Sequence, residues 1–282
     1  MRANLGCGNQ ICSGWINIDI VRTGPGVMVH DLSTGIPLPD ASCEVVYHSH
    51  VLEHLKRPEA QFFMRECFRV LKPGGVLRVA VPDLEQICRQ YLQTLDQALA
   101  GEPHAAYDYE WIMLELFDQI IRQQSGGGMR TYLRQNPLPN EAFVYERIGE
   151  EGRQLVSSLR GSSGRAEHAP ERLGPGIRAF LKTIGRQMSV KIADKLIFWA
   201  GGRRLVEAYR LGRFRMGGEV HQWMYDRYSL AQLMISVGLK DPRQESALTS
   251  RISGWTNVPL DVLPDRTIRK PDSLFMEALR PK

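Results

Sequence analysis

Three groups of residues have types and spacings suited to chemistry. The first is Asn4-Leu5-Gly6-Cys7-Gly8-Asn9, a glycine loop closing a short apolar run, followed by Gly14-Trp15-Ile16-Asn17-Ile18-Asp19-Ile20, where an acid closes the next. Glycines at such a turn let the backbone approach a ligand, and a carboxylate ending the following strand binds ribose hydroxyls; a parallel α/β sheet holds a nucleoside in this way. Asp19 follows Gly8 by only 11 residues, against about 20 in the dinucleotide fingerprint, and a third glycine is missing because Gln10 and Ile11 follow. No room remains for a full first helix with a pyrophosphate on its N-terminus. The spacing therefore argues against NAD and for a ligand with ribose but no phosphates, of which S-adenosylmethionine (SAM) is one.

The second group is His48-Ser49-His50-Val51-Leu52-Glu53-His54. On a helix, His50, Glu53 and His54 would share one face. Their order is formally the inverted zinc-protease signature, but it follows a strand instead of lying in the helical context a protease needs, so that activity is excluded. A metal ligand set and a cluster that hydrogen-bonds the sheet edge both remain open, and the expectation is that no metal is held. The third group is residues 177–215, where ten basic side chains face only Asp194 and Glu207, a net of +8. The whole chain carries +5, so the remainder sums to −3.

The elements that position these groups read as alternating strands and helices. Strands are expected at 2–6, 15–20, 26–30, 44–48 and 76–81, with a helix from Pro58 to Leu71 ended by the turn Pro73-Gly74-Gly75. Leu84 to Leu99 and Tyr107 to Gln124 read as helices, the second ending at Ser125-Gly126-Gly127-Gly128. Residues 157–176, rich in glycine, serine and proline, read as a flexible connector. A helix from Ser229 to Val237 and strands at 241–247 and 273–279 complete the chain. Such alternation implies a parallel sheet with right-handed crossovers.

The blocks LGCGN, GWINIDI, HDLSTGIPLPD, VVYHSHVLEHL and ECFRVLKPGGVLRVAVPDLE, in this order over residues 1–90, resemble the class I SAM-dependent methyltransferases. Within these they are similar to the type-11 group often associated with bacterial surface-glycan genes. The resemblance resumes at 217–282 with HQWMYDRYSLAQLMISVGL and KPDSLFMEALRP. It implies an α/β, Rossmann-like, seven-stranded and mostly parallel sheet formed by residues 1–83 and 217–282. Residues 84–216 would form a helical insertion between strand 5 and the C-terminal strands, acting as lid or acceptor lobe. The cofactor implied is SAM, with S-adenosylhomocysteine as product.

The residues expected to bind it are Asn4, Gly6, Cys7, Gly8, Asp19, Ile20, Asp31, Leu32 and His48. Gly6 and Gly8 would pass under the methionine and ribose, Asp19 would hold the ribose hydroxyls, and Asp31 and Leu32 would face adenine. Asn4 departs from the family, which more often has an acid there. Asp31 is equally well read as a cap for the turn at Ser33-Thr34-Gly35. His48 and His50 are the candidate catalytic bases, with a structural role open for either; His50, Glu53 and His54 are the only candidate metal ligands. His221 and the run Tyr107-Asp108-Tyr109-Glu110-Trp111 could line an acceptor pocket or belong to a core.

The expected reaction is O-methylation of a glycan, a glycolipid precursor or another natural-product hydroxyl. The alternatives are another SAM-using reaction on the same fold and a catalytically silent scaffold recruited to a membrane. Composition agrees with a soluble enzyme, at 282 residues with 43% hydrophobic and 24% charged. Five cysteines (Cys7, Cys12, Cys43, Cys67 and Cys88) without a CxxC pair suggest reduced thiols. With no leader-like segment and no run of 18 apolar residues, the expected location is cytoplasmic, with peripheral contact at the inner membrane face through 177–215 as one reading of the basic insertion. A lid and a groove for an acidic acceptor are the others. Nucleic acid is not an expected partner, since no recognised module accompanies the charge. Oligomeric state is left open by the sequence.

Overall fold

The computed structural model describes residues 1–161 and 177–282, and side chains in all of these except 177–191. Seven strands form one sheet: β1 (Arg2–Leu5), β2 (Ile16–Asp19), β3 (Val27–Val29), β4 (Cys43–Ser49), β5 (Leu71–Pro82), β6 (Lys240–Glu245) and β7 (Ser273–Leu279). Their order is β3-β2-β1-β4-β5-β7-β6. The first five are parallel to one another, and β7 runs antiparallel between β5 and β6. After β1 the chain moves to one side of the sheet, and from β4 it builds the other. The crevice for a ligand therefore opens at the carboxyl ends of β1 and β4, where the strand order reverses.

The two faces are covered differently. Helices α1 (Arg57–Val70) and α8 (Arg227–Ser236) pack on one face over Leu5, Ile18, Val46, Phe63, Met64, Leu77 and Met234, all buried. On the other face Tyr47, Arg78 and Glu277 are neighbours across the register of β4, β5 and β7. Arg78 is fully buried there, 2.7 Å from Asp261 and 2.8 Å from Glu277, and lies 4.4 Å over the Trp255 ring. The Tyr47 hydroxyl donates to Asp261 at 2.6 Å. This network clamps the 246–261 segment onto the sheet.

Between β5 and α8 lie α2 (Leu84–Leu99), α3 (Ala105–Met113), a π-turn (Leu114–Asp118), α4 (Gln119–Ile121), α5 (Gly127–Leu133), α6 (Glu141–Gly161) and α7 (Ile177–Arg215). Asp83 caps α2 by accepting from the Gln86 N–H at 3.1 Å. The helices through α6 share their own apolar cluster, built on Ile87, Trp111, Ile112, Tyr132, Leu133, Val144 and Val156.

Several expectations are corrected. The helix expected over 107–124 ends at Met113 and passes through the π-turn, because Asp118 turns back to accept from the Gly128 N–H at 2.5 Å and to pair with Arg122. The glycine run does not simply end it: Gly127 opens α5. β5 starts at Leu71, so the Pro73-Gly74-Gly75 turn is an irregularity absorbed into the strand next to a register shift at Cys43/Val45. Residues 157–161 are not connector but the last turns of α6, where Val156 is buried in the helical cluster. The rest of that expected connector, 162–176, lies outside the described residues.

Helix α7 closes the insertion before α8. It is broken at Gly202, and among its described side chains only Val206 is buried. Trp199 is 88% exposed, and Ile192, Leu196, Phe198 and Leu205 are exposed as well. No helix among the described residues is long and apolar enough to cross a membrane.

Candidate functional site

A cavity of about 510 Å³ opens at the carboxyl ends of β1 and β4, within the size range of small-molecule sites. Its floor is the loop through Gly6, Cys7 and Gly8; His50 and Ser273 stand on one wall, Arg269 and Lys270 on another, and Gln154 and Ser158 of α6 reach it from above. Gly6 and Gly8 have φ of +64° and +50°, the left-handed region. A Cβ on Gly6 would collide with the Val51 side chain, so glycine there is required by the turn and by the close approach of the segment after β4.

Behind the loop, Asn4 and Asn17 are register partners on β1 and β2, both buried. The Asn4 amide donates to the Gln10 carbonyl at 2.8 Å and to Asn17 Oδ1 at 3.0 Å, while Asn17 holds Cys12 by both its N–H and its carbonyl. Asn4 lines the cavity, but its amide is committed to shaping the loop. Asp19 accepts from the Gly8 N–H at 2.8 Å and from the Val21 N–H at 2.9 Å.

Asp31 caps the turn Leu32–Thr34, accepting from the Ser33 N–H at 2.9 Å. Hydrogen bonding from Ser33, by its side chain and then its N–H, holds the Asp31 carboxyl below the usual carboxylate value. Leu32 packs partly buried against the main core and Ile20 is exposed. Asn4, Gly6, Cys7, Gly8 and His50 thus meet at the cavity; Asp19 is tied to its floor, while Ile20, Asp31 and Leu32 stand beyond its lining.

His48 is separated from the others. Successive side chains of a strand point to opposite faces, so Tyr47 and Ser49 look into the cavity and His48 into the core under α1. It is fully buried, edge-on to Phe63 at 5.0 Å between ring centroids, with neither ring nitrogen hydrogen-bonded. Burial pushes its pKa down to about 4. A neutral core histidine on the wrong face neither binds the cofactor nor takes a proton from an acceptor, so both roles expected of His48 are withdrawn.

His50 is the histidine on the cavity. Its backbone is left-handed, φ +53°, unusual for a residue with a Cβ. Nε2 lies 3.0 Å from Ser273 Oγ and Nδ1 3.0 Å from Glu53 Oε1. Glu53 and His54 sit in a 3₁₀ turn, Leu52–His54, with His50 ahead of it, so the three are not on one helical face. Glu53 is fully buried; burial by itself would raise its carboxyl, yet His50, His54 and His221 around it hold it below the usual range.

His221 joins this cluster and not the acceptor cavity. Its ring is 4.8 Å from that of His54, and burial lowers the pKa of both. Trp111, expected as a possible pocket aromatic, is fully buried in the helical cluster, where Nε1 donates to Glu115 at 2.6 Å. Among the cavity residues not foreseen are Glu151, Gln154, Ser158, Asp261, Arg269, Lys270 and Ser273. The only signal was that Lys270 and Ser273 lie in the block KPDSLFMEALRP at the start of the last expected strand.

Residues 5–79 match the type-11 family described as “Methyltransferase domain”. Over these residues the chain is similar to that methyltransferase domain family. The matched stretch contains the glycine loop, Asp19 and the His48–His54 segment, and stops before the helical insertion. A probable S-adenosylmethionine-dependent methyltransferase of Mycolicibacterium smegmatis is 56% identical over 48 residues, 17% of this chain and 18% of that protein. One from Mycobacterium tuberculosis is 48% identical over 48 residues, 17% of each chain. This chain therefore spans less than a fifth of the curated relatives it matches. A solved complex of a Haloferax volcanii methyltransferase activator and a putative methyltransferase aligns over 99% of this chain and 82% of that one, with 11% identity and a TM-score of 0.37.

Proposed function

We propose that the protein transfers the methyl group of SAM to a hydroxyl of a small-molecule or glycan acceptor. The observation that carries this reading is the shared cavity, which has a glycine floor backed by Asp19 on one side and a histidine on the other. The residues fit the cofactor: at left-handed Gly8 nothing stands within 4 Å of where a Cβ would lie, and the carboxylate at the end of β2 keeps acceptor capacity for ribose hydroxyls beyond its two backbone bonds. When bound, SAM supplies an electrophilic methyl carbon on sulfur.

The chain's own residues would do three things. Gly6 and Gly8 let the backbone approach the ligand, and Asn4 with Asn17 keeps that loop in shape. Gln154, Ser158, Arg269 and Lys270 hold the acceptor; the two cations share the cavity with Glu151 and Asp261, and Lys270 pairs with Glu151 at 3.6 Å, a polar lining that suits a sugar. His50 would take the proton of the acceptor hydroxyl on Nε2, leaving the oxygen as the nucleophile. Positioning is the larger contribution, since holding nucleophile and electrophile in line removes much of the entropic cost.

Calorimetry with SAM and S-adenosylhomocysteine, followed by labelled SAM with extracted cell-envelope intermediates, tests the reading. Micromolar binding and label in an extract component are expected. No binding of either nucleoside overturns it. Turnover of SAM without methyl incorporation points to the other SAM-using enzyme, and binding without turnover to the scaffold.

The exposed side of α7 favours a second reading, peripheral association with an anionic membrane from the cytoplasmic side. Trp199, Phe198, Leu196 and Ile192 are exposed on a helix whose stretch 192–215 carries six basic residues against two acids. Apolar side chains beside Lys and Arg suit an interfacial helix, at about 1 kcal/mol per basic residue near the surface. Co-sedimentation with anionic but not neutral vesicles, lost at high salt, is the expected result; no binding to either removes this reading and leaves a protein partner or an acidic acceptor for the surface.

A further inference from the structure

Glu53 is a fully buried carboxylate whose Oε1 stands 3.0 Å from His50 Nδ1 and whose Oε2 has no hydrogen-bond partner. Nδ1 of His54 and Nδ1 of His221, both buried, are likewise without partners. One ligand atom from each of Glu53, His54 and His221 lies within 4.8 Å of the others. Native interiors leave few polar atoms unpaired, and each such atom calls for a physical account. Here several of them, of metal-ligating types, face one another.

The backbone builds this arrangement without help from the side chains. The Glu53 carbonyl accepts from the Gln222 N–H at 2.7 Å and from the Trp223 N–H at 3.2 Å, and the His221 N–H donates to the Gln119 carbonyl at 2.9 Å. Three segments far apart in sequence are thereby pinned together with His221 against the turn Leu52–His54. We propose that Glu53, His54 and His221 bind one divalent transition-metal ion. One carboxylate oxygen and two imidazole nitrogens form a borderline donor set that suits Zn²⁺ or Co²⁺ and not Mg²⁺ or Ca²⁺, which take oxygen ligands.

Ligand atoms around a tetrahedral zinc stand about 3.3 Å apart, from bonds of about 2.0–2.1 Å, so from separations within 4.8 Å the ligand atoms need to draw together by up to about 1.5 Å. Three protein ligands leave a fourth position open. The ion would sit behind His50, whose Nδ1 is 3.0 Å from Glu53, and would offset the negative charge buried there. It belongs to a different set of residues from the cofactor floor, and binding is read without any methyl transfer, so its failure would leave the proposed activity standing.

The test uses the full chain, dialysed against chelator and titrated with Co²⁺ and then Zn²⁺. The readouts are metal content by mass spectrometry, the visible absorption of bound Co²⁺ and the thermal midpoint. One equivalent per chain, a tetrahedral or five-coordinate Co²⁺ spectrum displaced by Zn²⁺, and a raised midpoint are expected. His221→Ala and Glu53→Gln should each weaken binding by about 100-fold or more, beyond the usual effect of outer-shell changes, while His30→Ala leaves it unchanged. The metal content of the unaltered chain needs no variant to fold. Less than one tenth of an equivalent bound, or the same affinity in His221→Ala and the unaltered chain, overturns the proposal.

Discussion

At the scale of single residues, Asp19 and His50 are separable in their expected effects. Asp19 braces the Gly8 N–H and keeps capacity for a ribose hydroxyl. Asp19→Ala should weaken SAM binding by about 1.5–3 kcal/mol, the size of a hydrogen bond involving a charged group. Calorimetry checks this, and an unchanged affinity would remove Asp19 from the site. His50→Ala should instead lower turnover by about 100-fold or more with cofactor affinity intact. An equal loss of both would mean that His50 only shapes the turn after β4. His48→Ala is expected to act on stability, because its ring fills space against Phe63 away from the cavity.

At the scale of elements, α6 brings the insertion to the cavity, and one glycine decides how closely. Gly149 interrupts the helix with φ +61°, and a Cβ there would strike Pro271 and stand 2.6 Å from the Arg269 carbonyl. The loop it meets carries Arg269 and Lys270, so close packing at Gly149 sets the distance between the α6 side chains and these cations. Gly149→Ala should cost about 1–3 kcal/mol through the left-handed backbone and the clash. It should also raise the acceptor KM more than it weakens SAM binding, as steady-state kinetics beside calorimetry would reveal. A variant with ordinary stability and unchanged KM would show that α6 does not position the acceptor.

At the scale of the whole molecule, the sheet core, the helical cluster and a helix that is exposed over most of its described side chains organise the chain. Arg78 lies between Asp261 and Glu277 and joins the late segment to the sheet. Arg78→Met leaves two buried carboxylates without their cation and should destabilise by about 3–5 kcal/mol in denaturant unfolding. A loss under 1 kcal/mol would mean that the carboxylates re-pair or take up protons at little cost. The opposite is expected on α7: with Trp199 88% exposed, Trp199→Ser should change stability by no more than about 0.5 kcal/mol. The same variant should weaken binding to anionic vesicles. A large stability loss would show that the helix is packed in solution.

By itself the sequence determined what depends on local spacing and period. The glycine loop, Asp19 at the end of β2, the alternation that makes the sheet, and α2 and β7 at 84–99 and 273–279 were legible because turns, strand ends and caps are written within a few residues of each other. The same period of two in β4 already separates His48 from Tyr47 and Ser49, so that error lay in the reading and not in the chain. Only the tertiary structure decided which distant residues share a site. His221 meets Glu53 through backbone bonds across a long insertion, Arg269 and Lys270 reach the cavity because Gly149 admits their loop, and Tyr47, Arg78 and Glu277 align because three strands pair in one register. None of these contacts has a period or a spacing. They follow from which segments the sheet order and the packing bring together, and that is a property of the folded chain as a whole.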